Sequence, residues 1–187
     1  MIQPATRYID IPAGRSIPDI FNAVIEIPRG SRNKYEYDEE FNIFRLDRTL
    51  ASPMHYPTAY GFVPSTLYKD GDPVDVMVLI EEATFVGCLI EVRALGVMRM
   101  LDNGKQDDKI IAVPVGDQHF THYSTLEHMK PHTLEEIKYF YSHYKNLEGL
   151  ETEFMGWSGC EYASEILLES ITRYRERQRV TSSQQTG

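Results

Sequence analysis

The sequence predicts an α+β fold: a closed antiparallel β-barrel with two main C-terminal helices packed outside it. Three observations carry this. From Phe21 to about Val115, short apolar and aromatic runs are broken by Pro, Gly, Asn and Asp. Their spacing favours hairpins and a closed or partly closed sheet over βαβ units. The last third instead carries apolar residues at helical spacing behind two Thr/Ser-x-x-Glu patterns.

The strand-like runs are FNAVIEIP from Phe21, NKYEYD from Asn33, FNIFRLDR from Phe41, DVMVLI from Asp75, LIEVRALGVMRM from Leu89 and KIIAVPV from Lys109. The first helix is expected to be capped by Thr133 and Glu136, with Pro131 just upstream. It carries Leu134, Ile137, Phe140, Tyr141, Tyr144 and Leu147, and Gly149 stops it. The second has Ser158 and Glu161 as its capping pair and runs through Ala163, Ile166, Leu167, Ile171 and Tyr174. The small polar end TSSQQTG reads as a frayed tail.

With 187 residues the chain is long enough for one real core and short for two. One domain over residues 1–187 is expected, with about 1–13 and 176–187 peripheral. The opening MIQPATRYIDIPAG has no basic stretch followed by an apolar one, and no run reaches membrane length. Neither a signal peptide nor a membrane partner is therefore expected, and the location is read as cytoplasmic. Cys88 and Cys160 match no zinc or CxxC spacing and read as reduced thiols. The net charge of −9 argues against a nucleic-acid partner. The basic run RYRERQR is interrupted by Glu176 and Gln178 and suits a solvated helix end.

The segment KDGDPVDVMVLIEEA, from Lys69 to Ala83, crowds Asp70, Asp72 and Asp75 against the start of an apolar strand. Carboxylates this close repel one another, and hard divalent cations are the usual remedy. A solvated turn is the plainer alternative, because DGDP is good turn chemistry. An EF-hand is excluded: its sixth position needs Gly and is Asp75, and a strand follows instead of a helix. Asp72 and Asp75 are an odd number of residues apart, so a turn must intervene before they converge; Pro73 is placed to supply it. A second acidic cluster, Asp102, Asp107 and Asp108 with Lys109, flanks a DNGK hairpin turn. Lys34, Arg48, Lys109, Tyr56, Tyr60, Tyr144 and Lys145 add cations and phenols able to hold phosphate oxygens. An acidic protein handles phosphate only where bound metal inverts the local charge. Together these groups fit metal-assisted phosphoryl transfer to water.

The motifs DGDPVDVMVL, VIEIPRGSRNKYEYD, LDRTL, YPTAYGFVP, LGVMRMLDNGKQDDKIIAVP, HYKNLEG and GW occur between about Ile17 and Arg173. In their order along the chain they resemble the soluble inorganic pyrophosphatases of the first family, the short-chain, Mg²⁺-dependent prokaryotic type with an OB-like barrel. The resemblance implies hydrolysis of pyrophosphate to two orthophosphates by in-line attack of a metal-activated water. It implies several Mg²⁺ ions per site and a homo-oligomer, a hexamer for choice. Asp70, Asp75 and Asp107 would hold the metal present before substrate, with Asp75 bridging to a second. Asp102 with Asp107, and Glu36, would serve metal arriving with substrate. Asp72 would orient or deprotonate the attacking water. Lys34, Arg48, Tyr144 and Lys145 would hold the leaving phosphate, and Lys109 and Tyr60 the phosphate under attack. Glu26 and Tyr56 would line the basin. Asp108 is the neighbour that competes with Asp107, and spacing to Lys109 favours Asp107.

Two other readings compete. A broader polyphosphate or nucleotide phosphohydrolase would need a base-stacking wall or a long basic groove, and the sequence shows neither. A non-catalytic barrel that binds nucleic acid would carry a basic, aromatic groove. Here that groove would hold Glu26, Glu36, Asp70, Asp72, Asp75, Asp102 and Asp107, which repel a strand.

Overall fold

In a computed structural model, residues 6–184 are described. Five strands close a ring: β1 (Phe21–Ile27), β4 (Ala59–Val63), β5 (Val74–Val78), β8 (Lys109–Pro114) and β6 (Leu89–Asp102), which pairs back onto β1. Four of the joints are antiparallel, as the sequence led one to expect; β5 and β8 run parallel. The sheet is therefore mixed. The parallel joint matters because it brings the N-terminal ends of two strands side by side.

The long β6 outruns the ring. Its far half pairs with β9 (Thr152–Ser158), and its end turns back as the short β7 (Lys105–Gln106). Asn103 and Gly104 form that turn with φ of 49° and 78°, the two positive values a two-residue hairpin loop needs. The sequence reading placed DNGK correctly and missed β9. That segment holds Gly156 and the acid Glu153, and it becomes a strand because β6 offers it an edge. Strands β2 (Asn33–Asp38) and β3 (Ile43–Thr49) form a separate two-stranded sheet.

Side-chain alternation sorts the core into two faces. Val74, Val76 and Val78 of β5, with Ile110 and Ala112 of β8, pack toward the helix α2 (Cys160–Gln184). Met77, Ile111 and Val113 point the other way, toward α1 (Pro131–His143) and its aromatic side chains. Gly61 is required where β1 and β4 meet: a Cβ there would stand 1.9 Å from the Val24 carbonyl oxygen.

Both expected helix caps are corrected. Pro131 itself occupies the first turn of α1, with Lys130 at the N-cap, so Thr133 lies inside the helix. Ser158 closes β9 and α2 begins at Cys160. The first helix also ends early, at His143. Tyr144 is its C-cap, a short turn spans Asn146–Glu148, and Gly149 ends it at φ 70°. Tyr144 and Lys145 thus sit beyond the helix.

The tail read as frayed from Thr181 is helical through Gln184, and residues 185–187 lie outside the described ones. The segment before Gly14, read as peripheral, is packed: Ile9 is 3% exposed against Val24 and Phe62. Tyr174 Oη donates to Asp10 at 2.6 Å and ties the two ends together. Both cysteines are free. Among the described residues no helix is long and apolar enough to cross a membrane.

Candidate active site

The parallel register Val76↔Ile110 sets Asp75, one residue into β5, beside Lys109, the first residue of β8. Lys109 is 2% exposed. Its ammonium donates to Asp75 Oδ2 at 2.7 Å, to Asp107 Oδ1 at 2.8 Å and to Tyr60 Oη at 3.3 Å. Burial alone would lower the Lys109 pKa; the two carboxylates overcome it and hold the pKa well above the usual value. Burial raises Asp75, and the Asp107 charge adds to it against the pull of Lys109. Asp107 is also penalised by burial, yet Lys109 holds it below the ordinary carboxylate range. One buried ammonium therefore serves two acids and cannot fully satisfy both.

Asp70 and Asp72 come from the loop between β4 and β5. Tyr68 N donates to the Asp72 carbonyl at 2.6 Å, and Asp72 N donates to Asp70 Oδ1 at 3.1 Å. Thr66 Oγ1 accepts from Val74 N at 2.9 Å and fixes where the loop becomes strand. The turn expected at Pro73 lies earlier, at Lys69–Asp72, and Pro73 leads directly into β5. Desolvation raises the pKa of both rim aspartates, and each is raised further by neighbouring carboxylates.

These groups open onto a cavity of about 520 Å³. Asp102, at the end of β6, lines it and receives Lys145 Nζ. Tyr144 lines it beside Lys145. Lys34 and Glu36, two residues apart on β2, share one face and are ion-paired there. Glu26 reaches in from β1 and accepts the Tyr37 N–H at 2.7 Å; desolvation pushes its pKa up to about 8.

Of the residues given a site role in the sequence, all but Arg48 and Tyr56 line this cavity. Arg48 is turned aside, pairing with Asp47 and with Glu148 at 3.1 Å. Tyr56 is 2% exposed and backs the wall, packed on Phe140 at 4.8 Å and near Tyr60 at 6.1 Å between ring centroids. It lines a separate, more apolar hollow with Met54, His132 and Tyr139. The sequence reading missed Tyr35, Tyr37, Glu39, Lys105 and Gln106, which also line the cavity. Lys105 and Gln106 belong to the hairpin arm already singled out for its acids. Asp107 and Asp108 separate cleanly: Asp107 shares the cavity face with Lys109, and Asp108 points to the opposite face and is 3% exposed.

The donor set suits a hard divalent cation: carboxylate oxygens from several elements around one basin, under-neutralised by the lysines present. Among the described residues, no three His, Cys, Asp or Glu side chains form a ready-made metal cage. The acids ring the basin instead, which suits ions shared between protein and an anionic ligand.

The model of the inorganic pyrophosphatase family matches residues 23–175. An inorganic pyrophosphatase of Geobacillus stearothermophilus is 47% identical over 158 residues, 84% of this chain and 96% of that protein. One from Haloferax volcanii is 46% identical over 168 residues, 89% of this chain and 95% of that one. The crystal structure of the Thermus thermophilus inorganic pyrophosphatase superposes with a TM-score of 0.89 at 37% identity, covering 91% of this chain and 99% of that one.

Proposed function

Since the chain belongs to the inorganic pyrophosphatase family and is a hydrolase of inorganic pyrophosphate, we propose that the acidic cavity is where the hydrolysis occurs and that Mg²⁺ is its metal. The observation that supports this is the buried Lys109 between Asp75, Asp107 and Tyr60. It sets a cation and a phenol for phosphate oxygens amid acids that need further positive charge.

Enzymes of this family are metal-dependent. Asp70, Asp75 and Asp107 would hold the metal bound before substrate; Asp102 with Asp107, and Glu36, would hold metal that enters with it. Bound there, Mg²⁺ would neutralise phosphate oxygens and lower the pKa of water toward neutrality. The remaining roles belong to the chain. Lys109 and Tyr60 donate to the phosphate under attack. Lys34, Tyr144 and Lys145 hold the leaving phosphate, and Arg48 joins them only by giving up Glu148. Asp72, at the exposed rim and raised by burial and its neighbours, accepts a proton from the attacking water. The water oxygen bonds to one phosphorus, the bridging P–O bond breaks, and the leaving phosphate takes the electron pair. Glu26 lines the basin and Tyr56 supports the phenols behind it.

The whole chain acts as one catalytic unit. Family membership supports a cytoplasmic homo-oligomer, with a hexamer as the expected size in sedimentation. The test of function is phosphate release from pyrophosphate, with Mg²⁺ titrated from zero and an EDTA control, and ATP and tripolyphosphate as rival substrates. Release that requires Mg²⁺ and prefers pyrophosphate supports the reading. No release in Mg²⁺, Mn²⁺ or Zn²⁺ from folded protein sinks it.

A further inference from the structure

Asp108 is almost completely buried, yet four donors converge on its carboxylate. Tyr68 Oη at 3.0 Å, Tyr162 Oη at 3.0 Å and Gln106 Nε2 at 2.7 Å all reach Oδ2. The Met100 N–H reaches Oδ1 at 3.3 Å. These partners come from four places: the aspartate-bearing loop, α2, the hairpin arm β7 and the long strand β6. The chain has a reason to need an acceptor there. The β6–β8 ladder ends at Met98↔Lys109 and the β6–β7 ladder begins at Leu101↔Gln106, so Met100 falls in the gap. Its carbonyl takes the Asp107 N–H at 3.0 Å, and the Asp108 side chain takes its N–H.

The same knot reaches both halves of the metal-holding set. Asp107 is the next residue, anchored to Met100. Tyr68, whose hydroxyl enters the knot, also holds Asp70–Asp72 through its backbone: its N–H donates to the Asp72 carbonyl, and its carbonyl accepts the Gly71 N–H at 3.2 Å. We propose that Asp108 is a positioning residue that sets the Asp70–Asp72 loop and Asp107 at their working separation before metal arrives. Asp108 touches neither substrate nor metal and acts through its neighbours. The proposal rests on the reading of the cavity as the metal site.

The arrangement is specific to a carboxylate. Asn would turn an NH₂ group or a single oxygen toward four donors. It also separates two contributions that a merely structural knot would not. The Tyr68 and Tyr162 hydroxyls each donate one bond to the same oxygen at the same distance. Only Tyr68 carries a metal-holding loop; Tyr162 lies on α2, which lines no part of the cavity.

The experiment compares wild type, Asp108→Asn, Tyr68→Phe and Tyr162→Phe in full-length protein. Mg²⁺ binding to metal-stripped protein is measured by calorimetry without substrate, alongside melting temperature and the Mg²⁺ dependence of turnover. The expected result is a Mg²⁺ half-saturation raised about tenfold or more in Asp108→Asn and Tyr68→Phe, the usual effect of losing a partner just outside a metal's ligands. Turnover at saturating Mg²⁺ falls far less. Tyr162→Phe lowers the melting temperature and leaves half-saturation at the wild-type value. If Asp108→Asn does not fold, the Tyr68 and Tyr162 variants still decide. Equal melting losses in those two, with wild-type Mg²⁺ affinity in both, overturn the positioning role while the metal site stands. Wild-type protein that binds no Mg²⁺ overturns both.

Discussion

Asp107 and Asp108 are neighbours in the chain and opposites in the fold. Asp107 faces a wet cavity, where one ammonium is shared between two acids. Asp108 faces the α2 side of the sheet, where neutral hydroxyl, amide and backbone donors hold its carboxylate. The same contrast runs through the whole sheet. Toward α2, polar groups are few and closed off by hydrogen bonds within the protein. Toward α1, Asp70, Asp72, Asp75, Asp102 and Asp107 ring a basin with less positive charge than their number demands. Protein interiors admit carboxylates when their acceptors are filled. The basin departs from that rule: its carboxylates outnumber the lysines that answer them, and that excess of negative charge is what the proposed metal and substrate would meet.

The sharpest way to break the comparison is on the wet face. Asp72→Asn is expected to cost about a hundred- to ten-thousandfold in turnover, the range for losing a general base, while calorimetric Mg²⁺ binding is largely kept. Asp75→Asn is expected to damage both. Near-wild-type hydrolysis in Asp72→Asn would remove it from the proton's path.

Next in size is Lys109→Met. Taking away the buried partner of two carboxylates is expected to destabilise the metal-free protein by about 3–5 kcal/mol in urea unfolding. Added Mg²⁺ should recover more stability in this variant than in wild type. Equal responses would mean that Lys109 and metal do not answer the same excess of negative charge.

A smaller loss is expected from the edge of the loop. Thr66 is 1% exposed, and its hydroxyl accepts the Val74 N–H. Thr66→Val leaves that buried donor unpaired, at about 1–3 kcal/mol. A cost near zero would mean that the loop does not depend on this bond.

Glu26 gives the mildest and most pH-specific contrast. Its folded pKa of about 8 stands above the ordinary 4.5 because burial disfavours the charge. A raised folded pKa contributes stability in full below the unfolded value and loses it as pH rises through the folded one. Metal-free wild type should therefore lose melting temperature relative to Glu26→Gln between about pH 5 and 9. Parallel melting curves across that range would show that Glu26 is not desolvated as described.

Much of this was legible in advance because local chemistry is written in local sequence. Alternation marked β1, runs rich in Val, Ile, Tyr and Phe marked β2, β3, β5, β6 and β8, and DNGK marked its hairpin. The acids, cations and phenols read as site candidates converge on one cavity, except Arg48, Tyr56 and the second acid of the Asp107–Asp108 pair. Arg48 and Tyr56 illustrate the limit. A side chain's residue type says what it can bind, while neighbours distant in sequence decide where it points: Glu148 turns Arg48 away, and Phe140 buries Tyr56 behind the wall.

The sequence by itself therefore determined the class of fold and most of the acids that line the basin, since period and residue type are properties of short segments. Only the tertiary structure decided the parallel β5–β8 joint, the strand β9, the start of each helix and the opposite faces of Asp107 and Asp108. Each of these depends on pairing between residues far apart in the chain, and no local pattern encodes which partner a strand edge or a buried carboxylate will meet.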